Sequence, residues 1–494
     1  MSRERVSRNA TFAFAAQMIG AVLTAGLTIF LARALTPEQY GFFTFGMSVL
    51  TIASLFADLG ITSSTGRFLA ERRDDPEGAA AVFRTALRLK LRVSLIASAA
   101  LFGLAGPICD LFGAGGAEWV LRGLSLALFG QSVFLLLLGS FIALGVIRYN
   151  VVLATAESVV EVASAIVLVL LGAAATGAAF GRAIGYAAGL AVGLLVASNV
   201  IGRIRTRSAH RSHRHPPVSE RRILSYAGPL LLVDAAFRVF ASIDVLLISA
   251  IVGAGSPVAA YGLAMQLAVF LDYPAAALSS AVAPRLAGAG RSDVRLFEQS
   301  TRYLIALQML FTAPLVIWPE AIVELLFGHG YPEAPDVLLA LVPYVFLSGI
   351  AQITTLSVNY LGEARRRVPI AFAMLSVNVA LNLVLLPRIG IVGAAIGTSV
   401  AYAIWVPAHV WIMHRRVDLP LRPLLTTTVR ACVAGAAMVG ALALLGTGDV
   451  SLQVMALGAV VGPAVYVAAL FLLRELTRAD IAVVRAAIAR RAGG

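Results

Sequence analysis

Lysine is almost missing from this chain of 494 residues: Lys90 stands alone against 38 arginines. With alanine and glycine so abundant, that bias reads as a GC-rich coding habit and not as a physical demand. Charge of either sign is scarce as well. Charged residues make up 13% of the chain and hydrophobic ones 59%, and the mean hydropathy is +0.88. Soluble domains carry about 25% charged residues, so a water-soluble globule is excluded. Cysteine occurs only at Cys109 and Cys432. The two fall near opposite membrane faces in the topology below, so no disulfide framework is available. No phosphate-binding glycine loop, nucleophile elbow or metal-ligand spacing on a helix is present. Asp74-Asp75 reads as a lone acidic pair in a solvated loop. His210, His213 and His215 precede Pro216-Pro217 in a basic stretch, which reads as a linker and not a metal site. These absences argue against an enzyme and against a resident cofactor.

What is present is apolar sequence in lengths that cross a bilayer. Stretches of about 20 residues fall near 10–31, 41–63, 93–112, 119–141, 151–173, 177–201, 223–252, 258–283, 303–327, 334–360, 368–386, 391–413, 427–446 and 451–473. They predict an all-α polytopic membrane protein with fourteen transmembrane helices and both termini in the cytoplasm. Basic residues fill every second gap. Positive charge is retained on the cytoplasmic side of short loops, and all but five of the 39 Lys and Arg fall in segments assigned there. The exceptions are Arg33, Arg122, Arg182 and Arg388 on the other side, and Arg238 within a span. The net charge of +13 would suit nucleic acid, but its place in membrane-flanking loops argues against that partner. The first apolar run follows basic residues as a signal peptide does. At about 25 residues it is too long for a signal h-region and reads as an uncleaved first helix.

An internal repeat divides the chain. Tyr40-Gly41 matches Tyr261-Gly262, Arg67-Phe68-Leu69-Ala70 matches Arg285-Leu286-Ala287, and Gly177 to Gly181 matches Gly393 to Gly397, all at nearly one offset. Six spans return the chain to the same side, so the halves are parallel repeats with a substrate site expected between them. The expected domains are an N-terminal six-helix lobe (1–202), a cytoplasmic basic linker (203–222), a C-terminal six-helix lobe (223–414), transmembrane helices 13 and 14 (415–473) and a cytoplasmic amphipathic tail (474–494). In the tail, Thr477 and Asp480 resemble a capping box, and Ile481, Val484 and Ile488 recur at helical spacing. It reads either as an interfacial helix on anionic lipid or as a plain positive-inside tail.

The informative residues are charges inside the spans. A charge near the bilayer centre costs about 2.5–3.5 kcal/mol on insertion scales, so each is expected to face a wet cavity or another charge. Among the charges in the spans are Asp58, Glu157, Glu161, Asp234, Arg238, Asp244 and Asp272. Asp234 and Arg238 are one helical turn apart and share a face. Arg238 lies about 20 Å from the inner end at 1.5 Å per residue, which suits an anion-binding arginine held by Asp234 when empty. Glu157 and Glu161 repeat the spacing on span five and are candidates for coupling to H+ or Na+. The repeat offset aligns Glu161 with Asn378. Asp244, Asp272 and Asn378 are further ion-site candidates; Asp58 lies near the inner surface, where it would cap a helix end. Gly181, Gly185, Gly189 and Gly193 form a ridge on span six that lets helices approach closely.

Several motifs carry a resemblance over nearly the whole chain. They are Arg8-Asn9; Arg33-Ala34-Leu35-Thr36-Pro37-Glu38-Gln39-Tyr40-Gly41; Asp58-Leu59-Gly60 with Arg67; Asp244-Val245-Leu246-Leu247; and Asn378, Asn382-Leu383, Leu386-Pro387 and Gly390-Ile391 with Gly393-Ala394-Ala395. On these the chain resembles the multidrug/oligosaccharidyl-lipid/polysaccharide (MOP) exporter superfamily, and within it the Wzx-type polysaccharide flippases. The resemblance implies a V-shaped, MATE-like fold of two six-helix lobes and alternating access without ATP. It implies a lipid-linked oligosaccharide on a polyprenyl diphosphate as cargo, moved from the inner to the outer leaflet of the bacterial cytoplasmic membrane. Membrane lipids, a polysaccharide polymerase and glycosyltransferases of the same pathway are the implied partners. Arg238 matches the expectation of a cation for the diphosphate, and Arg33, Arg67, Arg148, Arg182 and Arg285 are expected to line the two mouths. Carboxylates outnumber arginines within the spans, which keeps a cation-coupled multidrug efflux antiporter as the alternative. A membrane polysaccharide polymerase is the remaining reading, and the lack of a sizeable extramembrane loop weighs against it.

Overall fold

A computed structural model describes residues 20–72, 75–146, 148–207, 218–283, 286, 291–448 and 450–476. Among them every regular element is helical, and each of the fourteen apolar stretches is helical over its described residues, some with a break. The protein is an all-helical, multi-pass membrane protein. Nine helices among the described residues are long and apolar enough to cross a membrane, or up to eleven if two bent pairs each count as one span. The linker histidines, Arg285 and the tail from Thr477 onward, Asp480 included, lie outside the described residues.

The chain forms two compact units. The first comprises the described part of 1–262 together with 379–394. It contains α1 (Gly20–Ala34), α2 (Pro37–Asp58), α3 (Ile61–Ala70), α4 (Pro76–Gly103), α5 (Ala105–Leu111), α6 (Glu118–Ala143), α7 (Arg148–Leu168), α8 (Ala174–Arg207), α9 (Glu220–Ile251) and the start of α10 (Ser256–Phe270). The Thr36-Pro37-Glu38-Gln39 motif has a local cause. The Gln39 N–H donates to Thr36 Oγ1 at 3.3 Å and the Thr36 N–H to Gln39 Oε1 at 3.4 Å. This capping box, with Pro37 at the first helical position, satisfies donors that a helix start leaves open. Tyr40-Gly41 follows at once. A Cβ on Gly41 would stand 2.0 Å from the Gly255 carbonyl oxygen, and one on Gly262 would stand 2.6 Å from the Thr44 side chain. Both repeat-related glycines therefore serve the close approach of α2 to the start of α10. At its other end α2 stops where Leu59 and Gly60 adopt positive φ of 46° and 71°, a conformation that terminates helices.

The glycine ridge of α8 works as the sequence predicts. Gly181 packs on Ala165, Gly185 on Glu161, Gly189 on Glu157 and Gly193 on Leu153. Each four-residue advance along α8 meets a four-residue retreat along α7, so the two form an antiparallel hairpin. The turn is made by Gly172 at φ 90° and Ala174 at φ 47°. The 51-residue apolar stretch Arg148–Ser198 is thus two packed helices and not one long span.

The second unit comprises the described parts of 263–378 and 395–494. It contains the rest of α10, α11 (Tyr273–Val282), α12 (Arg291–Ile317), α13 (Pro319–Phe327), α14 (Ala334–Ala340), α15 (Val342–Tyr360), α18 (Leu421–Leu445) and α19 (Leu452–Leu472). Two helices, α16 (Arg367–Ile389) and α17 (Val392–Val417), are divided between the units. The last two helices pack on α12 through Trp318, Met438, Leu442, Tyr466 and Leu470. Polar tips of the aromatic residues are satisfied: Trp318 Nε1 donates to the Gly446 carbonyl at 2.9 Å and Tyr466 Oη to that of Ala306 at 2.7 Å. Beside this core lies an apolar cavity of about 390 Å³ lined by Leu267, Phe311, Trp318, Met438 and Met455 among others.

Glu475, just past α19, latches this bundle. It is buried and accepts hydrogen bonds from Thr427 Oγ1 (2.5 Å), Arg302 Nη2 (2.8 Å) and Arg430 Nη1 (3.0 Å). Burial alone would raise its carboxyl; the bonds from Thr427, Arg302 and Arg430 outweigh that and hold it below its ordinary 4.5. A carboxylate depressed in the folded state stabilises fully above its unfolded value and loses that contribution as pH falls through the folded one. Thermal unfolding in detergent at stepped pH should therefore show stability falling below about pH 4.5. Glu475→Gln should be less stable at neutral pH and flatter in acid; a variant that tracks the parent at every pH removes the latch.

Candidate functional site

Span seven supplies the first charged cluster. Helical period brings Asp234 and Arg238 to one face of α9, and Arg238 Nε donates to Asp234 Oδ2 at 2.9 Å. Arg238 Nη1 reaches α2 and donates to Ser54 Oγ at 2.6 Å. Their side chains remain 30% and 51% exposed, so the pair is not sealed in the protein. A guanidinium carries five N–H donors. Among the described residues Nη2 of Arg238 makes no hydrogen bond, which leaves a donor edge of the kind that binds carboxylate or phosphate.

Next to it sits Lys90, in the interior of α4 with its side chain 0% exposed; the charge pattern predicts a basic segment here and says nothing of that enclosure. Asp75 is not a solvated loop acid: its carboxylate accepts from the Gly78 N–H at 3.0 Å and caps α4 ahead of Pro76. Lys90 Nζ pairs with Asp58 Oδ1 and also donates to Thr62 Oγ1 at 3.2 Å. Asp58 accepts from Thr62 Oγ1 at 2.5 Å and from the Gly60 N–H at 3.1 Å. It was expected to cap a helix end; it is instead the last residue of α2, bonded to the Gly60 N–H in the break before α3, with the lysine as its charged partner. Lys90 is within electrostatic reach of Arg238, so the two ion pairs form one neighbourhood.

The acid pair of span five forms a second cluster. Arg182 Nη1 donates to Glu161 Oε1 at 2.6 Å and Nη2 to Tyr186 Oη at 3.1 Å. Ser158 Oγ donates to Glu157 Oε2 at 3.1 Å. The ridge glycines Gly185 and Gly189 lie directly beneath Glu161 and Glu157, so the close approach of α8 is what delivers Arg182 to the acids. Arg182 is 20% exposed and ion-paired with Glu161 across the hairpin, a partner that its expected place at a mouth did not suggest.

Asp244 and Asp272 accept from neutral donors. Asp244 is buried and accepts from Tyr261 Oη at 2.5 Å and Asn382 Nδ2 at 2.6 Å. In the second unit Asp272 accepts from Ser348 Oγ at 2.5 Å and Gln308 Nε2 at 3.3 Å. Asn378 is fully buried and donates to Thr398 Oγ1 at 3.4 Å. Arg67 is exposed and paired with Glu71 at 2.9 Å, and Arg148 is exposed, bonded at 2.9 Å to the Tyr149 hydroxyl.

Removing one partner of a buried ion pair costs about 3–5 kcal/mol, because the other charge is left without compensation. Arg182→Gln should therefore lower the melting temperature of the purified protein sharply. The double variant Glu161→Gln/Arg182→Gln should recover most of that loss. A double variant no more stable than the single one would show that the pair is not what holds the hairpin.

Residues 6–289 match the polysaccharide biosynthesis protein family. A putative O-antigen transporter of Shigella flexneri is 24% identical over 385 residues, covering 75% of this chain and 88% of the relative. The fold superposes on the lipid II flippase MurJ in an inward closed conformation with a TM-score of 0.72 at 14% identity, covering 95% of this chain and 100% of that one. It also superposes on an inward-facing multidrug resistance MATE transporter of the MOP superfamily, with a TM-score of 0.65 at 17% identity, covering 81% and 95%. These relatives are transporters and flippases, not enzymes. By its sequence match, and with a fold shared with transporters of the MOP superfamily, the chain belongs to the polysaccharide biosynthesis protein family.

Proposed function

We propose that the protein is a flippase that carries a polyprenyl-diphosphate-linked oligosaccharide from the inner to the outer leaflet of the bacterial cytoplasmic membrane. It works by alternating access, with both termini in the cytoplasm, and serves export of a cell-surface polysaccharide. The observation that carries this reading is Arg238. A half-open guanidinium held by one exposed carboxylate and one hydroxyl is a replaceable arrangement: an incoming diphosphate can take the free Nη2 edge and compete with Asp234.

The family and the O-antigen transporter relative support a saccharide cargo. The apolar cavity lined by Leu267, Phe311 and Met455 has the chemistry that a polyprenyl chain prefers. The excess of carboxylates, which favoured a cation-coupled drug antiporter, loses its force once their partners are known. Asp58 has Lys90, Glu161 has Arg182, Asp244 has Tyr261 and Asn382, and Asp272 has Ser348 and Gln308. In this reading Glu157 and Glu161 are the coupling group for H+ or Na+. Glycosyltransferases that build the repeat unit and a polymerase that consumes it are the expected pathway partners.

Arg238→Ala should reduce export roughly tenfold to a hundredfold, from the loss of charge-assisted hydrogen bonds worth about 1.5–3 kcal/mol. Lipid-linked repeat units should accumulate in the inner leaflet while protein levels stay normal; full polysaccharide output would sink the anion-site reading. The double variant Glu157→Gln/Glu161→Gln should lose the dependence of transport on pH or sodium. If vesicle transport keeps that dependence, coupling lies elsewhere.

A further inference from the structure

The position of the only lysine points to a role that the proposed function does not use. Ser54 and Asp58 are one turn apart on α2 and share a face. Arg238 Nη1 already bonds to Ser54 Oγ at 2.6 Å, so the strongest acceptor one turn further along that face is Asp58. It does not take Arg238. One carboxylate oxygen accepts from Lys90 and from Thr62 Oγ1, and the other from the Gly60 N–H. Lys90 is 0% exposed, so its ammonium cannot touch a cargo. It can act only on what Asp58 does and through its field on Arg238. An ammonium is a compact point charge on a flexible stem, whereas a guanidinium is a broad planar fork. The compact ammonium is the cation fully enclosed here, in a chain that otherwise uses arginine.

We infer that Lys90 is a positioning residue for cargo binding: it sequesters Asp58 and thereby keeps the Nη2 edge of Arg238 open for a phosphate group. The inference rests on the reading of Arg238 as the anion site. Without Lys90, Asp58 competes for Arg238 and adds negative charge beside it. Without Asp58, Lys90 adds uncompensated positive charge. The two substitutions should therefore move anion affinity in opposite directions, whereas a pair that only holds helices together would weaken binding from either side.

The test uses the full chain in lipid nanodiscs, titrated with farnesyl diphosphate by calorimetry, with thermal unfolding recorded in parallel. Lys90→Met should weaken binding roughly tenfold and Asp58→Asn should tighten it severalfold, as expected for one unit charge a few ångströms away in a partly dry site. The double variant Asp58→Asn/Lys90→Met should return to within about threefold of the parent, where the neighbourhood regains its net charge. Weaker binding from both single variants, or an unchanged Lys90→Met, overturns the inference. If Lys90→Met fails to fold, the sign of the Asp58→Asn shift decides by itself. An Arg238→Ala variant separates the two readings. If it binds farnesyl diphosphate as the parent does, the anion site itself is wrong. If it loses binding while Asp58→Asn does not tighten it, only the role of Lys90 falls.

Discussion

An ionised side chain inside a bilayer has no water to fall back on, and the arrangement of polar residues in this chain answers that constraint. Each of the span acids described above is met by a cation or by hydroxyl and amide donors. Asp58 and Glu161 have cations, while Asp244 and Asp272 have neutral donors. The choice of partner sorts the sites chemically. Asp234 and Arg238 stand apart because both remain partly exposed. They are the pair whose pairing is easiest to exchange.

Packing makes these pairings possible. In the α7–α8 hairpin the ridge glycines let the backbones approach until Arg182 reaches Glu161. At the start of α10 the same device brings α2 against Gly255 and Gly262. Small residues in membrane helices are usually credited with helix association. Here they also determine which charges can meet, so geometry and electrostatics are set by the same positions.

The all-helical class and the pairing of Asp234 with Arg238 were legible because both depend on short-range periodicity. The acidic pair of span five was legible for the same reason, but its arginine was not. Arg182 is 21 residues from Glu161 across a turn that hydropathy alone blurs. Reading the charge alternation as topology filed it on the far side of the membrane. The glycine spacing contained the missing register, since a ridge every four residues facing acids every four residues fixes how the hairpin closes. The enclosure of Lys90 was missed for a related reason. Asp75-Pro76-Glu77 is a helix start, with an N-cap, a proline at the first helical position and an acid in the first turn. Taken as such, it puts Lys90 about four turns inside a helix. What hydropathy could not reveal is which acid the lysine meets, because Asp58 lies on a different element.

The burial of Lys90 has a practical side. It is the only side-chain amine in the protein, and it is shut inside an ion pair. Acylating reagents and amine cross-linkers will find no lysine on the surface of this conformation. Trypsin will cut the chain almost wholly at arginine. Any rearrangement that parts α4 from α2 would uncover that amine beside no other reactive amine than the chain's α-amino group, giving the protein a built-in chemical reporter of that movement.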